Sequence, residues 1–480
     1  MKFLQYLKVI FVILSCVVLS FLLPIAFAVA YNEMSMIPAF VLPMLPVLLI
    51  AGVLLFVTRK RQLRLSTHGG IALVACVWIF ASVIGALPFF ISGVIPKFVD
   101  ALFETASGFT TTGATIMTVI EGQPISMLVW RAQTHWLGGM GIVVLAVALF
   151  PLLGVGGFAL IKSETTGPDK GKVTSKIAET AKALWIVYCV LTILPMIALM
   201  CAGMNFTEAL CHAFSILGTG GFSTRNASIG SFNSGAINII CTVFMFLASW
   251  NFSLYIRLLQ GHPEDIWQNS ELHAFLKIFF ASGIIIAILI TPMYGLLDAF
   301  NHSFFQVASV MSTTGLSSTN FDLWPEAAKF VLLLLFFIGG CSGSTAGGIK
   351  VIRWVILKKQ AGNEIKRLLY PHGVFSIQLN GRPGRKDVVY SVAGFVFLYL
   401  FLVGVTAFVA VNAGVNVYSA IVSALSLVGN VGAGFDMIGP TQNFAFFSGW
   451  AKFIFTFMML AGRLELYTML VFFSKEFWRK

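Results

Sequence analysis

A short glycine-centred turn recurs four times in this chain, each time between a brief apolar segment and a long one. Its clearest copy is Gly108-Phe109-Thr110-Thr111-Thr112-Gly113-Ala114-Thr115. The echoes are Gly218-Thr219-Gly220-Gly221-Phe222-Ser223-Thr224, Ser312-Thr313-Thr314-Gly315-Leu316-Ser317-Ser318 and Val428-Gly429-Asn430-Val431-Gly432-Ala433-Gly434-Phe435. Aligning Gly113, Gly220, Gly315 and Gly432 spaces the copies by 107, 95 and 117 residues. A repeat of this length constrains the fold before any local propensity does, because one supersecondary unit must serve four times.

The medium around those units follows from composition. The chain is 58% hydrophobic and 10% charged, with 46 Phe, 10 Trp and a mean hydropathy of +0.90. Soluble domains carry roughly 25% charged residues, so a large soluble enzyme is excluded. The net charge of +12 does not indicate nucleic acid, because the basic residues fall in alternate connections: Arg59, Lys60, Arg61 and Arg64, then Lys162 to Lys182, then Lys350 to Lys386. The other connections carry Glu33, Asp100, Glu104, Glu121, Glu208, Asp298, Asp322, Glu326 and Asp436, with Lys97 and Arg225 as their basic exceptions. This positive-inside pattern places both termini in the cytoplasm. The seven Cys form no CxxC pair, so neither a disulfide framework nor a zinc site is indicated.

The expected fold is an all-α polytopic membrane protein. Four pseudo-symmetric repeats, each a span, a pore helix and a second span, surround a central pore, and an N-terminal two-helix hairpin precedes them. The hairpin occupies residues 1–58; its first run, 9–32, is long for a signal peptide despite Ala28-Val29-Ala30, and a second span follows at once. The repeats occupy 68–152, 180–258, 274–357 and 387–473, with a basic cytoplasmic connection at 358–386. Their middle segments, of about 13 residues, are too short for a bilayer core that takes about 20. Half-crossing helices survive in lipid only where protein or a water-filled cavity surrounds them. The expected total is ten full spans and four pore-helix hairpins.

A dehydrated alkali ion needs its hydration oxygens replaced, and rings of backbone carbonyls do so without fixed charge. Glycine lets four segments converge on one axis, and the short helices would point their partly negative C-termini at the ion. The expected ligands are the carbonyls of Thr111, Thr112 and Gly113; Gly218, Thr219 and Gly220; Thr313, Thr314 and Gly315; and Asn430, Val431 and Gly432. Within these, the metal positions are Thr112, Gly113, Thr219, Gly220, Thr314, Gly315, Val431 and Gly432. The bland alternative for any one copy is a glycine that merely ends a helix; four copies in register argue against it.

The third repeat carries Gly339-Gly340-Cys341-Ser342-Gly343-Ser344-Thr345-Ala346-Gly347-Gly348 in the middle of a span. Such a run cannot hold a continuous helix, and its place after the third turn suggests a flexible gating loop at 339–348 across the ion path. The gate residues would be Gly339, Gly340, Gly343, Ser344, Thr345, Gly347 and Gly348, together with Arg463. Close helix packing through small residues is the alternative. Arg463 would face the cavity below the turns, either as an electrostatic barrier or as a latch on the loop. Arg131, Lys329 and Lys452 are expected to snorkel near the outer surface. Glu104, Asp298, Asp322 and Asp436 are expected to border the outer mouth.

At these turns the sequence resembles the Trk/Ktr/HKT superfamily of potassium transporters, and most nearly its bacterial TrkH/TrkG type. Trp136-Leu137-Gly138-Gly139-Met140-Gly141, Gly339 to Gly348 and Ala461-Gly462-Arg463-Leu464-Glu465 carry the likeness further, over essentially the whole chain. The resemblance implies that Gly113, Gly220, Gly315 and Gly432 are the filter glycines. It also implies preference for K+ over sodium, since a serine at the first position marks sodium-permeable plant forms. It further implies residence in the bacterial inner membrane, a homodimer with one pore per protomer, and a TrkA-type cytoplasmic ring that binds the regulatory nucleotide. Arg353 to Lys386 would dock that ring or meet anionic lipid. Symport with sodium or protons is the alternative within transport, and no acid stands mid-span as a proton relay would. A membrane enzyme would need converging His, Asp, Glu or Cys; His135, for one, stands alone.

Overall fold

The computed structural model describes residues 2–58, 67–141, 177–380, 382–383 and 386–479. These are helices and turns apart from one two-stranded hairpin, Gln378–Leu379 against Arg382–Pro383. The basic stop at Arg59-Lys60-Arg61, Arg64, residues 142–152 of the first repeat and Lys162 lie outside the described residues.

Among the described residues six helical segments are long and apolar enough to cross a membrane. Leu4–Ala30 and Met34–Val57 form the N-terminal hairpin; Gly69–Ile91, Glu179–Cys201, Ser270–Tyr294 and Asp387–Asn412 open the four repeats. Their outward faces expose Leu49, Phe56, Phe397 and Phe408, a surface that is costly in water and neutral in hydrocarbon. The protein is a polytopic membrane protein.

Each opening span is followed by a short helix: Phe98–Phe109, Phe206–Gly218, Leu296–Met311 and Val417–Gly429. Their lengths of 12, 13, 16 and 13 residues fit half a bilayer. The first is buried continuously from Ala101 to Phe109, which supplies the protein surroundings that a half-crossing helix requires. Asn205 and Asn416 cap the second and fourth by accepting from Glu208 N–H and Ser419 N–H at 2.8 Å, each worth about 1 kcal/mol.

The third helix of each repeat departs from expectation. The anticipated full spans at 126–152, 235–258, 328–357 and 446–473 begin as helices of 15, 14, 10 and 15 residues: Ile125–Gly139, Gly235–Ala248, Glu326–Leu335 and Gly449–Arg463. The second is followed by Phe252–Leu259 at an 88° bend, the third by the Gly-rich loop, and the fourth by Glu465 and Leu466 at φ of 58° and 55°. The cause is steric. Gly138 sits where a Cβ would run into the Phe109 carbonyl, and Gly462 where one would run into the Val428 carbonyl. The third helices of the first and fourth repeats thus pass the C-terminal end of a short helix at van der Waals range. Three of these helices also touch the next repeat's short helix, the fourth repeat's closing back on the first.

The hairpin is keyed to the first repeat. Phe21 meets Trp130 edge-on at 4.7 Å, and Gln133 Nε2 donates to the Ser20 carbonyl at 2.9 Å. Glu33, read from sequence as a loop acid, accepts from Ile125 N–H (2.6 Å), Ser126 N–H (2.9 Å) and Ser126 Oγ (2.6 Å), capping the third helix of that repeat. Glu33→Ala should therefore lower stability by about 2 kcal/mol, since bonds to a charged acceptor contribute roughly 1.5–3 kcal/mol. A reduced melting temperature in detergent, with Glu33→Gln in between, is the expected measurement.

Candidate functional site

All four short helices end in the same cap. Thr112 N–H donates to Ser107 O, Gly220 N–H to Ser215 O, Thr314 N–H to Ser309 O and Val431 N–H to Ser426 O, each at 2.8 Å. The preceding residues, Thr111, Thr219, Thr313 and Asn430, stand at φ of 53°, 54°, 56° and 56°. This six-to-one bond over a left-handed residue is the Schellman arrangement. The helix-ending reading and the ion-path reading thus describe one geometry. Glycine ordinarily takes the left-handed place, and a β-branched threonine there is strained by about 1–3 kcal/mol. Three threonines in that place are a mark of function rather than of chain economy.

Two residues after each left-handed position comes a glycine, again with positive φ: Gly113 (79°), Gly221 (88°), Gly315 (77°) and Gly432 (82°). A Cβ on Gly113 would strike the Gly220 carbonyl, on Gly221 that of Thr314, on Gly315 that of Val431, and on Gly432 that of Thr112. The four contacts close into a ring. It corrects the expected register in the second repeat by one residue: the ring glycine is Gly221, not Gly220. Gly220 is the equivalent of Thr112, Thr314 and Val431, and Gly218 precedes the turn. The other three repeats keep the register read from sequence. Ser107, Ser215, Ser309 and Ser426 stand six residues before the four ring glycines. Aligning on those serines would have given the correct register.

Side chains behind the ring tie repeats together. Thr110 Oγ1 and Thr112 Oγ1 share a hydrogen bond (2.7 Å), as do Ser312 Oγ and Thr314 Oγ1 (2.6 Å). Asn430 Nδ2 donates to Thr112 Oγ1 of the neighbouring first turn at 2.9 Å. Glu104 is fully buried, not at the outer mouth, and accepts from Arg131 Nε (2.6 Å), Ile116 N–H (2.8 Å) and Thr115 Oγ1 (2.9 Å). Arg131 is likewise not snorkelling: 2% exposed, it donates to Ser223 O at 2.9 Å and covers the Phe222 ring at 3.6 Å. His135 is not isolated. Its Nδ1–H donates to Gly108 O (2.7 Å) and its Nε2 accepts from Phe222 N–H (3.1 Å), a pairing that requires the neutral ring. Together Glu104, Arg131 and His135 brace the first turn against the second. Lys452 pairs with Asp100 at 2.8 Å, and Lys329 with Glu326 at 2.5 Å.

The Gly-rich segment is a tied loop rather than a slack one. Gly339 N–H donates to Ile349 O (2.7 Å) and Val351 N–H to Gly340 O (3.2 Å), closing its neck. Cys341 N–H donates to Ser249 O (2.8 Å), and Gly343 O accepts from Phe252 N–H (3.0 Å). These bonds hold the loop against the bend in the second repeat. Gly347 N–H donates to Thr313 Oγ1 at 2.7 Å, joining its tip to the third turn. Arg463 Nη1 donates to Thr345 O (2.6 Å), while Nη2 reaches Gly138 O (2.8 Å) and Gly139 O (3.1 Å). One guanidinium from the fourth repeat thereby joins the loop of the third to the helix end of the first.

On the outer face Asp436 N–H donates to the Asp322 carboxylate at 3.1 Å. Partial burial raises the Asp322 carboxyl. Bonds from Ser419 Oγ and Asn416 Nδ2 lower that of Asp436, so Asp436 is the one that keeps its charge as pH falls. Among the described residues no group of three or more His, Cys, Asp or Glu could hold a metal ion.

Residues 36–480 match the family described as TrkH, cation transport protein. The chain is 38% identical over 440 residues to the Trk system potassium uptake protein TrkH of Escherichia coli (strain K12), covering 90% of each. It is 36% identical over 468 residues to TrkG of the same strain, covering 96% of each. The crystal structure of the potassium transporter TrkH from Vibrio parahaemolyticus superposes with a TM-score of 0.88, at 35% identity and over 100% of both chains.

Two substitutions probe the brace. Arg131→Leu strands the buried Glu104 carboxylate and should cost about 3–5 kcal/mol, with Arg131→Leu/Glu104→Leu recovering part of it. His135→Leu leaves Gly108 O and Phe222 N–H unpaired at about 1–3 kcal/mol each. Thermal unfolding in detergent checks both.

Proposed function

The chain belongs to the TrkH family of cation transport proteins, and from that premise we propose that it takes up potassium across the bacterial cytoplasmic membrane by channel-like permeation. The ligands are the carbonyls of Thr111, Thr112 and Gly113; Thr219, Gly220 and Gly221; Thr313, Thr314 and Gly315; and Asn430, Val431 and Gly432. The observation that carries this reading is the closed ring in which every glycine abuts a carbonyl of the next repeat. Neutral carbonyls exchange for water around the ion without trapping it, and a ring with no space for a Cβ holds those carbonyls at fixed separation.

The gate in this reading is the loop at 339–348 held by Arg463. A cation at the ring must pass the loop tip, which is bonded to Thr313, and the fixed positive charge of Arg463 that secures it. Withdrawal of the loop therefore opens the path and removes an electrostatic barrier together. The protein works as a homodimer with one pore per protomer, and a TrkA-type nucleotide-binding ring acts on it from the cytoplasm. The helix Val351–Leu369, which leaves the loop directly and ends with Lys366 and Arg367 in its last turn, offers that ring both a basic surface and a lever.

Isotope flux into liposomes tests the assignment. Potassium and rubidium should enter while sodium and lithium do not, and Gly113→Ser should admit sodium. Deleting 343–347 should speed potassium entry. If the deletion variant is folded yet passes no ion, channel-like permeation is wrong and coupled symport takes its place. Potassium at 100 times its Kd should also raise stability by about 2.7 kcal/mol, with Gly221→Ala abolishing the effect.

A further inference from the structure

Glu271 plays no part in the account so far. It lies in the first turn of the span Ser270–Tyr294 and is 6% exposed. Its Oε1 accepts from Ser342 N–H at 2.7 Å and from Ile352 N–H at 3.0 Å. Those two residues lie on the two sides of the neck of the Gly-rich loop: Ser342 is just inside its entry, three residues past Gly339, and Ile352 is the second residue of the helix Val351–Leu369 that leaves it. One carboxylate oxygen thus staples together the two sides of a loop whose neck is also closed by the Gly339–Ile349 and Gly340–Val351 backbone bonds and by Trp354 Nε1 donating to Phe337 O. A carboxylate is the strongest acceptor a side chain can offer two backbone donors, and each bond is charge-assisted. The neighbouring Ser270 N–H donates to Asn380 Oδ1 at 2.9 Å, and Asn380 is the left-handed turn residue (φ 50°) of the cytoplasmic hairpin. The same helix end therefore touches the loop neck on one side and the cytoplasmic connection on the other.

We propose that Glu271 is a positioning residue for gating: it clamps the neck of the Gly-rich loop in the closed arrangement, and the Asn380–Ser270 contact lets the cytoplasmic connection load or release that clamp. The proposal rests on the transport reading above. It differs from the Arg463 latch in acting at the neck rather than the tip, so releasing it frees both flanks of the loop together. It also gives a cytoplasmic partner a second route to the gate, through the hairpin rather than along the helix Val351–Leu369.

The test is rubidium flux into liposomes for wild type, Glu271→Ala, Asn380→Ala, the 343–347 deletion, and Glu271→Ala within that deletion. Glu271→Ala should raise flux about tenfold, the effect of losing one charge-assisted clamp, and Asn380→Ala should raise it less. In the deletion background Glu271→Ala should change nothing, because no loop remains to hold. Wild-type flux from Glu271→Ala, or an equal gain with and without the loop, overturns the proposal. A silent deletion variant instead overturns the transport reading beneath it. If Glu271→Ala does not fold, Glu271→Gln is compared by hydrogen exchange. Faster exchange confined to peptides spanning 339–352 supports the clamp, and unchanged exchange there overturns it.

Discussion

Four helices that stop at a common axis, each by the same backbone cap, are the constraint on which this structure depends. A Schellman cap over a left-handed residue reverses the chain within two residues and leaves the next glycine pressed against a neighbour's carbonyl. Because each of the four contacts involves a different pair of repeats, none can be changed without moving two turns. The first spans, the hairpin and the lipid-facing aromatic residues serve to hold those four ends together. The third helices are cut short for the same reason. In the first and fourth repeats they pass so close to the short helices that Gly138 and Gly462 admit no side chain.

The repeat architecture was legible because it is written in spacing. Apolar length separated half-crossing helices from full spans, and four echoes of one turn located the ring to within a residue. The slip occurred where the alphabet is ambiguous, at Gly220-Gly221, since two adjacent glycines satisfy the same pattern in either register. The distinguishing mark was the serine six residues upstream, whose carbonyl receives the six-to-one bond. What could not be read were pairings across long separations. Glu104 and Arg131 look like rim charges because each lies near the end of an apolar run, and only the packed ring shows that they face one another. Glu271 drew no reading from the sequence, because an acid in the first turn is favourable in any helix. The breaks at Ala248 and Arg463 were hidden because apolar residues resume beyond each, at Phe252 to Leu259 and at Leu466 to Phe473, so that each stretch reads as one span.

The loop illustrates a related limit of composition. Five glycines in ten residues read as freedom, yet the loop's amides are held: Gly339 by Ile349, Gly347 by Thr313, Cys341 by Ser249 and Ser342 by the Glu271 carboxylate. Glycine here permits close approach, and the close approach is then fixed by hydrogen bonds. Such a segment can have two well-defined positions, since losing one set of partners does not commit it to disorder.

The His135 brace has a consequence for how such a ring can be built. It joins only the first and second turns, and the third helices of the other repeats contain no histidine. A channel assembled from four identical subunits would have to repeat any such side chain at every interface, with four imidazoles and four guanidinium–carboxylate pairs crowded about one axis. Fusing the four units into one chain removes that obligation. Each wall of the ring becomes free to diverge: one is stiffened by a buried ion pair, another carries the Gly-rich loop, and a third supplies the arginine bonded to it. The division of labour between a rigid side and a yielding side is open only to a ring whose symmetry is already broken in its gene.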